Sequence, residues 1–232
     1  KPGNWKPVKQ LLFKSSLHGD KSDRVIKKEN GDWTYFASDI AYHYDKATRG
    51  YDEIINIWGA DHAGYIDRVK ASLVALGFKD TVFTVKLCQI VNLIDKKKVI
   101  KMSKREGNFI LVSDILPKIG KDVLRFFMLT RKNDAHLDFD LEKCLNETSE
   151  NPSFYVQYAY ARISSLKRIA SQQKQNIFKK NIKVESNQLS IPEINLIKCL
   201  SLWPKIIESS VSYKEPHRIV YFLIELAGNF HS

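Results

Sequence analysis

The sequence predicts an α/β part followed by an all-helical part, and three patterns lead to this fold class. Residues 53–58 form a short apolar run that ends in Gly-Ala-Asp-His, and apolar residues then recur at helical spacing until Gly77. A strand, a glycine-containing turn and a helix in this order are half of a βαβ unit. Apolar and β-branched residues at 81–94 predict one or two further strands. From residue 151 onward the pattern is helical only.

Ahead of this unit the sequence predicts one further helix. Residues 33–36 have the composition of a strand. Ser38 or Asp39 then stands where a side chain could cap a helix that continues through Ala47. Gly50 follows the last apolar position and closes that helix.

Between the strands and the helical part, two more helices are predicted. Residues 95–98 form a charged turn, and residues 109–112 are extended. Ser113 is expected to cap a helix that carries Asp114 in its first turn. Apolar residues at 123–129 predict a second, largely buried helix.

The helical part is expected to begin at Pro152, because proline suits the first turn of a helix. Two further helices are predicted at about 192–210 and 216–230. Two domains are expected, with the boundary placed ahead of the helix that begins at Pro152: an α/β domain over residues 1–135 and a helical bundle over residues 136–232.

The charge balance points to an acidic partner. The net charge is +11, with 26 basic and 21 acidic residues in 1–150 and 11 basic and 5 acidic residues in 151–232. Nucleic acid comes first among such partners. The three cysteines are far apart and form no CxxC pair, so a zinc knuckle or a disulfide scaffold is not indicated. No apolar run reaches membrane-spanning length, no signal-peptide pattern is present and no metal-binding spacing occurs, so a cytoplasmic protein without a membrane partner is expected.

The polar loop at 101–104 has the sequence Lys-Met-Ser-Lys and is followed by Gly107-Asn108. Two lysines three residues apart suit a loop that closes over phosphates, because ammonium groups stabilise the charge on phosphoryl oxygens. An exposed basic turn is one alternative, and the lysines at 96–98 add a nuclear-localisation or heparin-type patch as another. Neither alternative accounts for Gly107-Asn108 or for the nearby strand end.

Gly59, Asp61 and His62 follow the predicted strand at its carboxyl end, where open α/β sheets bind ligands. Glycine permits a close approach, the carboxylate accepts hydrogen bonds from hydroxyls, and the imidazole stacks or donates. A capped helix start is the structural alternative. The GxGxxG and P-loop patterns are absent, which disfavours ordinary NAD or Walker-type binding.

Tyr35 and Asp39 lie four residues apart at a predicted strand-to-helix junction, so a phenol and a carboxylate could converge on a small ligand. A carboxylate there suits a cation, and a guanidinium best, through paired hydrogen bonds. The structural alternative is a helix cap beside a core aromatic. His43, His136 and His217 are isolated and are interpreted as structural or surface residues.

The loop at 101–104 with Gly107-Asn108 resembles the KMSK motif of class I aminoacyl-tRNA synthetases. Further stretches resemble arginyl-tRNA synthetases of the bacterial type, and the similarity runs from about Leu11 to the end of the chain. These stretches are Thr34-Tyr35-Phe36-Ala37-Ser38-Asp39-Ile40-Ala41-Tyr42-His43, Trp58-Gly59-Ala60-Asp61-His62, Leu137-Asp138-Phe139-Asp140 and Asn151-Pro152 with Tyr155-Val156-Gln157-Tyr158-Ala159.

This resemblance implies a fold and a chemistry. The fold is the second half of a Rossmann-like nucleotide-binding domain with the KMSK loop, followed by a helical anticodon-binding domain of the DALR type. The chemistry is the ATP-dependent activation of L-arginine to arginyl-adenylate, with Mg²⁺ accompanying ATP, and transfer of the arginyl group to tRNA(Arg). A monomer is expected.

The resemblance also implies roles for individual residues. Lys101 and Lys104 would hold the phosphates, with Lys104 acting on the transition state and Ser103 assisting. The expected ATP-binding residues are Gly59, Asp61, His62, Lys101, Met102 and Lys104. The expected arginine-binding residues are Tyr35, Asp39 and His62, with Asp39 facing the guanidinium.

One departure from the family pattern is plain. Class I synthetases also carry a His-x-Gly-His element, which does not occur in these 232 residues. The tRNA-elbow domain of the family is missing too, and the bundle is expected to be cut short at its C-terminus. We therefore expect a piece of a longer protein that does not activate arginine alone. A non-catalytic tRNA-binding paralogue and another class I synthetase remain the alternatives.

Overall fold

The computed structural model describes residues 9–100, 102, 109–172 and 189–232, and the chain divides into the compact units Lys1–Ile90 and Val91–Ser232. The predicted boundary at residue 135 stays a prediction. The described strands are β1 (Leu11–Phe13), β2 (Arg24–Lys27), β3 (Glu53–Gly59), β4 (Val82–Cys88), β5 (Val91–Asp95), β6 (Lys98–Val99) and β7 (Leu137–Asp140). The described helices are α1 (Tyr35–Thr48), α2 (Ile66–Ala75), α3 (Val112–Ile119), α4 (Lys121–Met128), α5 (Leu141–Leu145), α6 (Pro152–Gln172), α7 (Ile191–Ser201), α8 (Trp203–Ser212) and α9 (His217–His231).

The first unit contains the predicted βαβ unit. Strands β3 and β4 pair in parallel from Glu53 opposite Val82 onward, and α2 connects them. Ile54 of β3, Leu73 of α2 and Ala47 of α1 are buried together. The core thus joins one face of the strand pair to both helices, which confirms a mixed α/β fold for this part of the chain.

Helix α1 begins earlier than the sequence predicted. Its N-cap is Thr34, whose hydroxyl accepts a hydrogen bond from the backbone amide three residues further on. The predicted strand at 33–36 and the predicted cap at Ser38 or Asp39 are therefore wrong, because Thr34 already satisfies a free amide of the first turn. As a result Tyr35 and Asp39 lie on the first two turns of one helix.

The second unit opens with a small sheet in the order β6-β5-β7, in which β5 and β7 run parallel. Leu93 of β5 and Phe139 of β7 are buried against Phe127 of α4, which confirms the predicted buried helix. Helix α3 begins at Val112 rather than after the predicted Ser113 cap.

Helix α6 begins at Pro152 as predicted. The amide of Asn151 donates to the carbonyls of Cys144 and Asn146, and its oxygen accepts from the backbone amides of the first turn. The helix predicted at about 192–210 is in fact α7 and α8, which meet at Leu202. Pro204 follows this junction and has no N–H to continue the helical bonds of α7.

The helices α7, α8 and α9 extend the second unit as an all-helical segment, and α9 packs against α6, α7 and α8. Among the residues that the structure describes, no helix is both long and apolar enough to cross a bilayer.

Candidate functional site

A cavity of about 340 Å³ lies in the first unit, between α1 and the carboxyl end of β3. Its lining residues are Asp39, Tyr42, His43, Lys46, Ile57, Trp58, Gly59, His62 and Tyr65. The residues from α1 are spaced by three and four positions, so they share one face of the helix. The strand supplies the opposite wall, and the 3-10 turn that follows it (Ala60–Tyr65) supplies the end wall.

Three of the predicted ligand-binding residues meet at this cavity, namely Asp39, Gly59 and His62. Two others do not line it. Tyr35 is 89% exposed, and the side chain of Asp61 is 80% exposed. The structure therefore brings together the carboxylate predicted for a guanidinium and the imidazole predicted to border it, and it leaves the phenol of Tyr35 at the surface.

Gly59 makes room for a neighbouring carboxylate. A Cβ atom built at this position would lie 2.5 Å from Oδ1 of Asp61, well inside contact distance. The other oxygen of Asp61 lies 3.5 Å from Nε2 of His62. Since the Asp61 side chain is exposed, it is the group that would move if residue 59 carried a side chain.

Of the predicted phosphate-binding loop at 101–104, the structure describes only one residue. Lys101, Ser103 and Lys104 lie outside the described residues, as do Gly107 and Asn108. Met102 is described and is about half exposed in the second unit. The roles expected for this loop stay predictions.

A chain of hydrogen bonds adjoins the cavity. Nζ of Lys46 donates to Oδ1 of Asn56 at 2.9 Å, and Nδ2 of Asn56 lies 2.6 Å from Nε2 of His43. Nδ1 of His43 lies 2.7 Å from the backbone oxygen of Asp39. His43 and Asn56 are 3% and 4% exposed, so the bond between them is shielded from water, whereas Lys46 is half-buried. The chain of hydrogen bonds connects the middle of β3 to the turn of α1 that carries Asp39.

Burial lowers the pKa of His43, because the imidazolium form loses its hydration inside the protein. The nearby Lys46 ammonium lowers it further, while the backbone oxygen and the carboxylate of Asp39 act in the opposite direction. His43 is accordingly neutral at pH 7. The Lys46 ammonium is stabilised by Asn56 and by the ring of Tyr42, whose centroid is 4.2 Å from Nζ.

Aromatic rings form much of the remaining wall. The ring of His62 lies 6.5 Å from that of Trp58 and 6.0 Å from that of Tyr65, centroid to centroid. A cavity with aromatic walls and one carboxylate suits a ligand that has an apolar body and a cationic, planar end. Within the described residues no group of three His, Cys, Asp or Glu side chains could hold a metal ion.

Sequence reasoning missed several lining residues, among them Tyr42, His43, Lys46 and Tyr65. His43 is isolated in the sequence, which predicts a structural or surface residue. The signal that could have found three of them is their spacing from Asp39, since positions three, four and seven residues later fall on the same helical face.

Comparison with known proteins identifies related sequences over the whole chain. A model of the DALR anticodon binding domain matches residues 156–232. The arginine–tRNA ligase of Ruegeria pomeroyi is 48% identical over 235 residues, which cover 100% of this chain and 40% of that protein. The arginine–tRNA ligase of Orientia tsutsugamushi is 48% identical, with 99% of this chain and 40% of that protein covered. The chain thus spans about 40% of the length of these curated relatives.

Solved structures give the same family. A Campylobacter jejuni protein assigned to the arginyl-tRNA synthetases has a TM-score of 0.83 at 38% identity, covering 99% of this chain and 50% of that one. The arginyl-tRNA synthetase of Thermus thermophilus has a TM-score of 0.76 at 19% identity, covering 100% of this chain and 46% of that one, and shares the fold. The resemblance stated from the sequence motifs is confirmed.

Proposed function

Because this chain matches arginyl-tRNA synthetases over its whole length, we propose that it is part of an arginine–tRNA ligase. The complete protein would activate L-arginine with ATP, forming arginyl-adenylate and pyrophosphate, and would then pass the arginyl group to tRNA(Arg). The activity belongs to the complete protein, since this chain spans 40% of the relatives' length and carries no His-x-Gly-His element.

The observation that carries this proposal is the meeting of Asp39 and His62 in one aromatic cavity. A guanidinium is planar and presents paired N–H groups, so a single carboxylate binds it through two parallel hydrogen bonds. The rings of Tyr42, Trp58 and Tyr65 offer flat apolar surface for the rest of the arginine side chain. Tyr35 would join Asp39 in binding arginine from its position one turn earlier on α1, where its side chain is exposed.

ATP would bind at the carboxyl end of β3. Gly59 and His62 border the cavity there, and Asp61 follows them on the same turn. The parallel β3–α2–β4 unit supports the proposal that this part of the chain is the second half of a Rossmann-like nucleotide-binding domain. Lys101 and Lys104 would hold the phosphates, with Ser103 and Met102 beside them, and Mg²⁺ would arrive bound to ATP as part of the substrate.

The helical part would bind tRNA(Arg). The DALR match at 156–232 supports this role, and so does the basic surplus of residues 151–232. Lysines and arginines would neutralise phosphates, and exposed aromatics would contact unstacked bases. We keep the two-domain division into 1–135 and 136–232, and a monomer acting in the cytoplasm, as parts of the same proposal.

The test is amino-acid-dependent exchange of pyrophosphate into ATP by the complete protein, with and without tRNA(Arg). Arginine should support exchange, whereas citrulline should not, because it replaces the guanidinium by a neutral urea of the same shape. Exchange with another amino acid in place of arginine would contradict the proposal. Binding of tRNA(Arg) without any exchange would favour the non-catalytic paralogue instead.

A further inference from the structure

We propose that Lys46, Asn56 and His43 form a positioning chain, which holds the turn of α1 that presents Asp39 to the ligand. This inference deepens the proposed function and rests on arginine binding at Asp39. None of the three side chains need touch the guanidinium, so they are positioning residues and not catalytic ones.

The donors and acceptors available fix the direction of the hydrogen bonds in the positioning chain. A lysine ammonium only donates, so the oxygen of Asn56 must face Lys46 and its NH₂ group must face His43. Nε2 of His43 must then accept, which leaves the proton on Nδ1 for donation to the backbone oxygen of Asp39. A flipped amide would set two donors against each other at Lys46, and the other imidazole tautomer would do so at Asn56.

The ring of His43 is held on several sides. The rings of Tyr42, Trp58 and Phe83 approach it nearly at right angles, with centroids 5.9, 6.3 and 5.7 Å away. With both ring nitrogens bonded, the imidazole has neither the space nor a free partner for rotation. The Asp39 peptide is thus tied to β3 through Asn56, in addition to its own helical bonds.

This connection bears on the ligand in two ways. A carboxylate whose backbone is already fixed loses less conformational freedom when a guanidinium binds, and preorganisation of this kind increases affinity. Lys46 also lines the cavity two helical turns from Asp39, so the pocket has an anionic and a cationic end. A ligand with one cationic end is therefore directed to Asp39 and repelled from Lys46.

The hydrogen bonds of the positioning chain require His43 to be neutral, because its Nε2 atom must accept from Asn56. The groups that face His43 are Asp39, Tyr42 and Lys46 on α1, Asn56 and Trp58 on β3, and Phe83 on β4. Of these, only Lys46 and Asp39 carry charge. Because burial lowers the pKa of His43 and its imidazole accepts from a neutral amide, arginine binding by the parent protein should not depend on the protonation of this histidine above pH 7.

The first test replaces Asn56 by leucine in the complete protein and measures arginine-dependent pyrophosphate exchange. We expect the KM for arginine to rise by about tenfold, because one subsite has lost its preorganisation. The KM for ATP and the kcat should both stay within about twofold of the parent values. Asn92→Leu is the matched control. Asn92 also bonds a neighbouring side chain from a strand, but it belongs to β5 of the second unit and is not among the residues that line this cavity, and its loss should leave both KM values unchanged.

The second test uses Asn56→Asp, which keeps the shape and the bond from Lys46 but gives His43 an acceptor in place of a donor. Neutral His43 has one N–H for two acceptors, so only the imidazolium can then serve both Asp39 and residue 56. The ratio of variant to parent KM for arginine should be near one at pH 6 and rise severalfold by pH 8.5, as the added carboxylate raises the pKa of His43.

The outcomes separate the two proposals. A parent protein without arginine-dependent exchange would overturn the proposed function. An active parent whose Asn56→Leu variant raises both KM values equally, or neither, would overturn the positioning chain. So would an Asn56→Asp ratio that is flat with pH. If the leucine variant fails to fold, the isosteric aspartate variant decides alone.

Discussion

At the scale of single residues, the cavity is lined by one carboxylate, one ammonium and two imidazoles, and Asp39, Lys46 and His43 are each held in place by different contacts. Asp39 is fixed through its backbone, Lys46 through Asn56 and the ring of Tyr42, and His43 through its two ring nitrogens. The sequence motifs predicted Asp39 and His62 as ligand-binding residues but not the side chains that are hydrogen-bonded to the backbone of Asp39 or to one another. Hydrogen bonds between α1 and β3 join residues that lie 10 to 13 positions apart, and no local pattern encodes such pairs.

The carboxylate of Asp39 can be tested directly. Asp39→Asn keeps the size of the side chain but removes the charge, so a guanidinium would lose a charge-assisted pair of hydrogen bonds worth about 1.5–3 kcal/mol. We expect the KM for arginine to rise by about ten- to a hundredfold. The KM for ATP should change little, and equal effects on both substrates would contradict the assignment. Asp45→Asn is the matched control, because Asp45 lies on the same helix and pairs with Arg49 at the surface.

Lys104 is expected to act on the transition state of arginine activation. Replacing it by alanine would remove one ammonium from the developing charge on phosphorus, which typically costs about 3 kcal/mol of barrier. We expect kcat for pyrophosphate exchange to fall by about a hundredfold, with the KM for arginine little affected. Lys98→Ala, in β6, provides a nearby charge-matched control. An effect confined to the KM for tRNA would assign Lys104 to tRNA binding instead.

At the scale of elements, most strands and helices follow from local pattern, and the errors occur at their ends. The apolar run that predicted β3 and the helical spacing that predicted α2 depend on many residues. The start of α1 depends on one hydroxyl, that of Thr34, which also donates to the carbonyl of Val25 in β2. The break between α7 and α8 comes just before Pro204, which lacks the N–H needed to continue α7, within an otherwise continuous apolar pattern. One residue outweighed the periodicity in both cases.

The connection between β1 and β2 contains an ion pair that makes stability depend on pH. Asp20 has a nearly fully buried side chain that accepts two hydrogen bonds from Arg24 and one from Ser15. The bonds from Arg24 are the main reason that the pKa of Asp20 is far below its usual value, against the opposing effect of burial. Its contribution to stability is therefore complete above the unfolded-state pKa of about 4 and is lost as the pH falls toward the folded-state pKa.

Asp20→Asn should lower the free energy of unfolding by about 2–3 kcal/mol at pH 7, since it leaves the partly buried guanidinium of Arg24 without its counter-charge. Urea titrations between pH 7 and pH 2.5 would measure this. The difference between parent and variant should shrink below about pH 4, because the parent then begins to lose the same interaction. If the difference in free energy of unfolding stays constant down to pH 2.5, the ion pair does not cause the loss of stability in acid. Asp23→Asn, a change at an exposed carboxylate in the same connection, is the control.

At the scale of the whole molecule, the positive charge is shared between the α/β part and the helical part. The surplus of basic over acidic residues is of similar size in 1–150 and in 151–232, although the second stretch is about half as long. The charge density is therefore higher in the stretch that contains the DALR match. The proposed arginine pocket, by contrast, has the carboxylate of Asp39 where the ligand's cation would bind. The two ligands should consequently respond to salt in different ways.

Binding of tRNA(Arg) to the complete protein should weaken steeply as salt is added. Each lysine or arginine that neutralises a phosphate releases a counterion and contributes about 0.7–0.9 to the slope of log K against log salt concentration. With about four to six such contacts we expect a slope between about −3 and −5, measured by filter binding or fluorescence anisotropy from 50 to 300 mM KCl. Arginine binding depends on one shielded charge pair, so its KM should change by less than about threefold over the same range. A tRNA for another amino acid, tested under the same conditions, reports the non-specific part. A flat salt response for tRNA(Arg) would mean that the net charge of +11 is not used to bind phosphates.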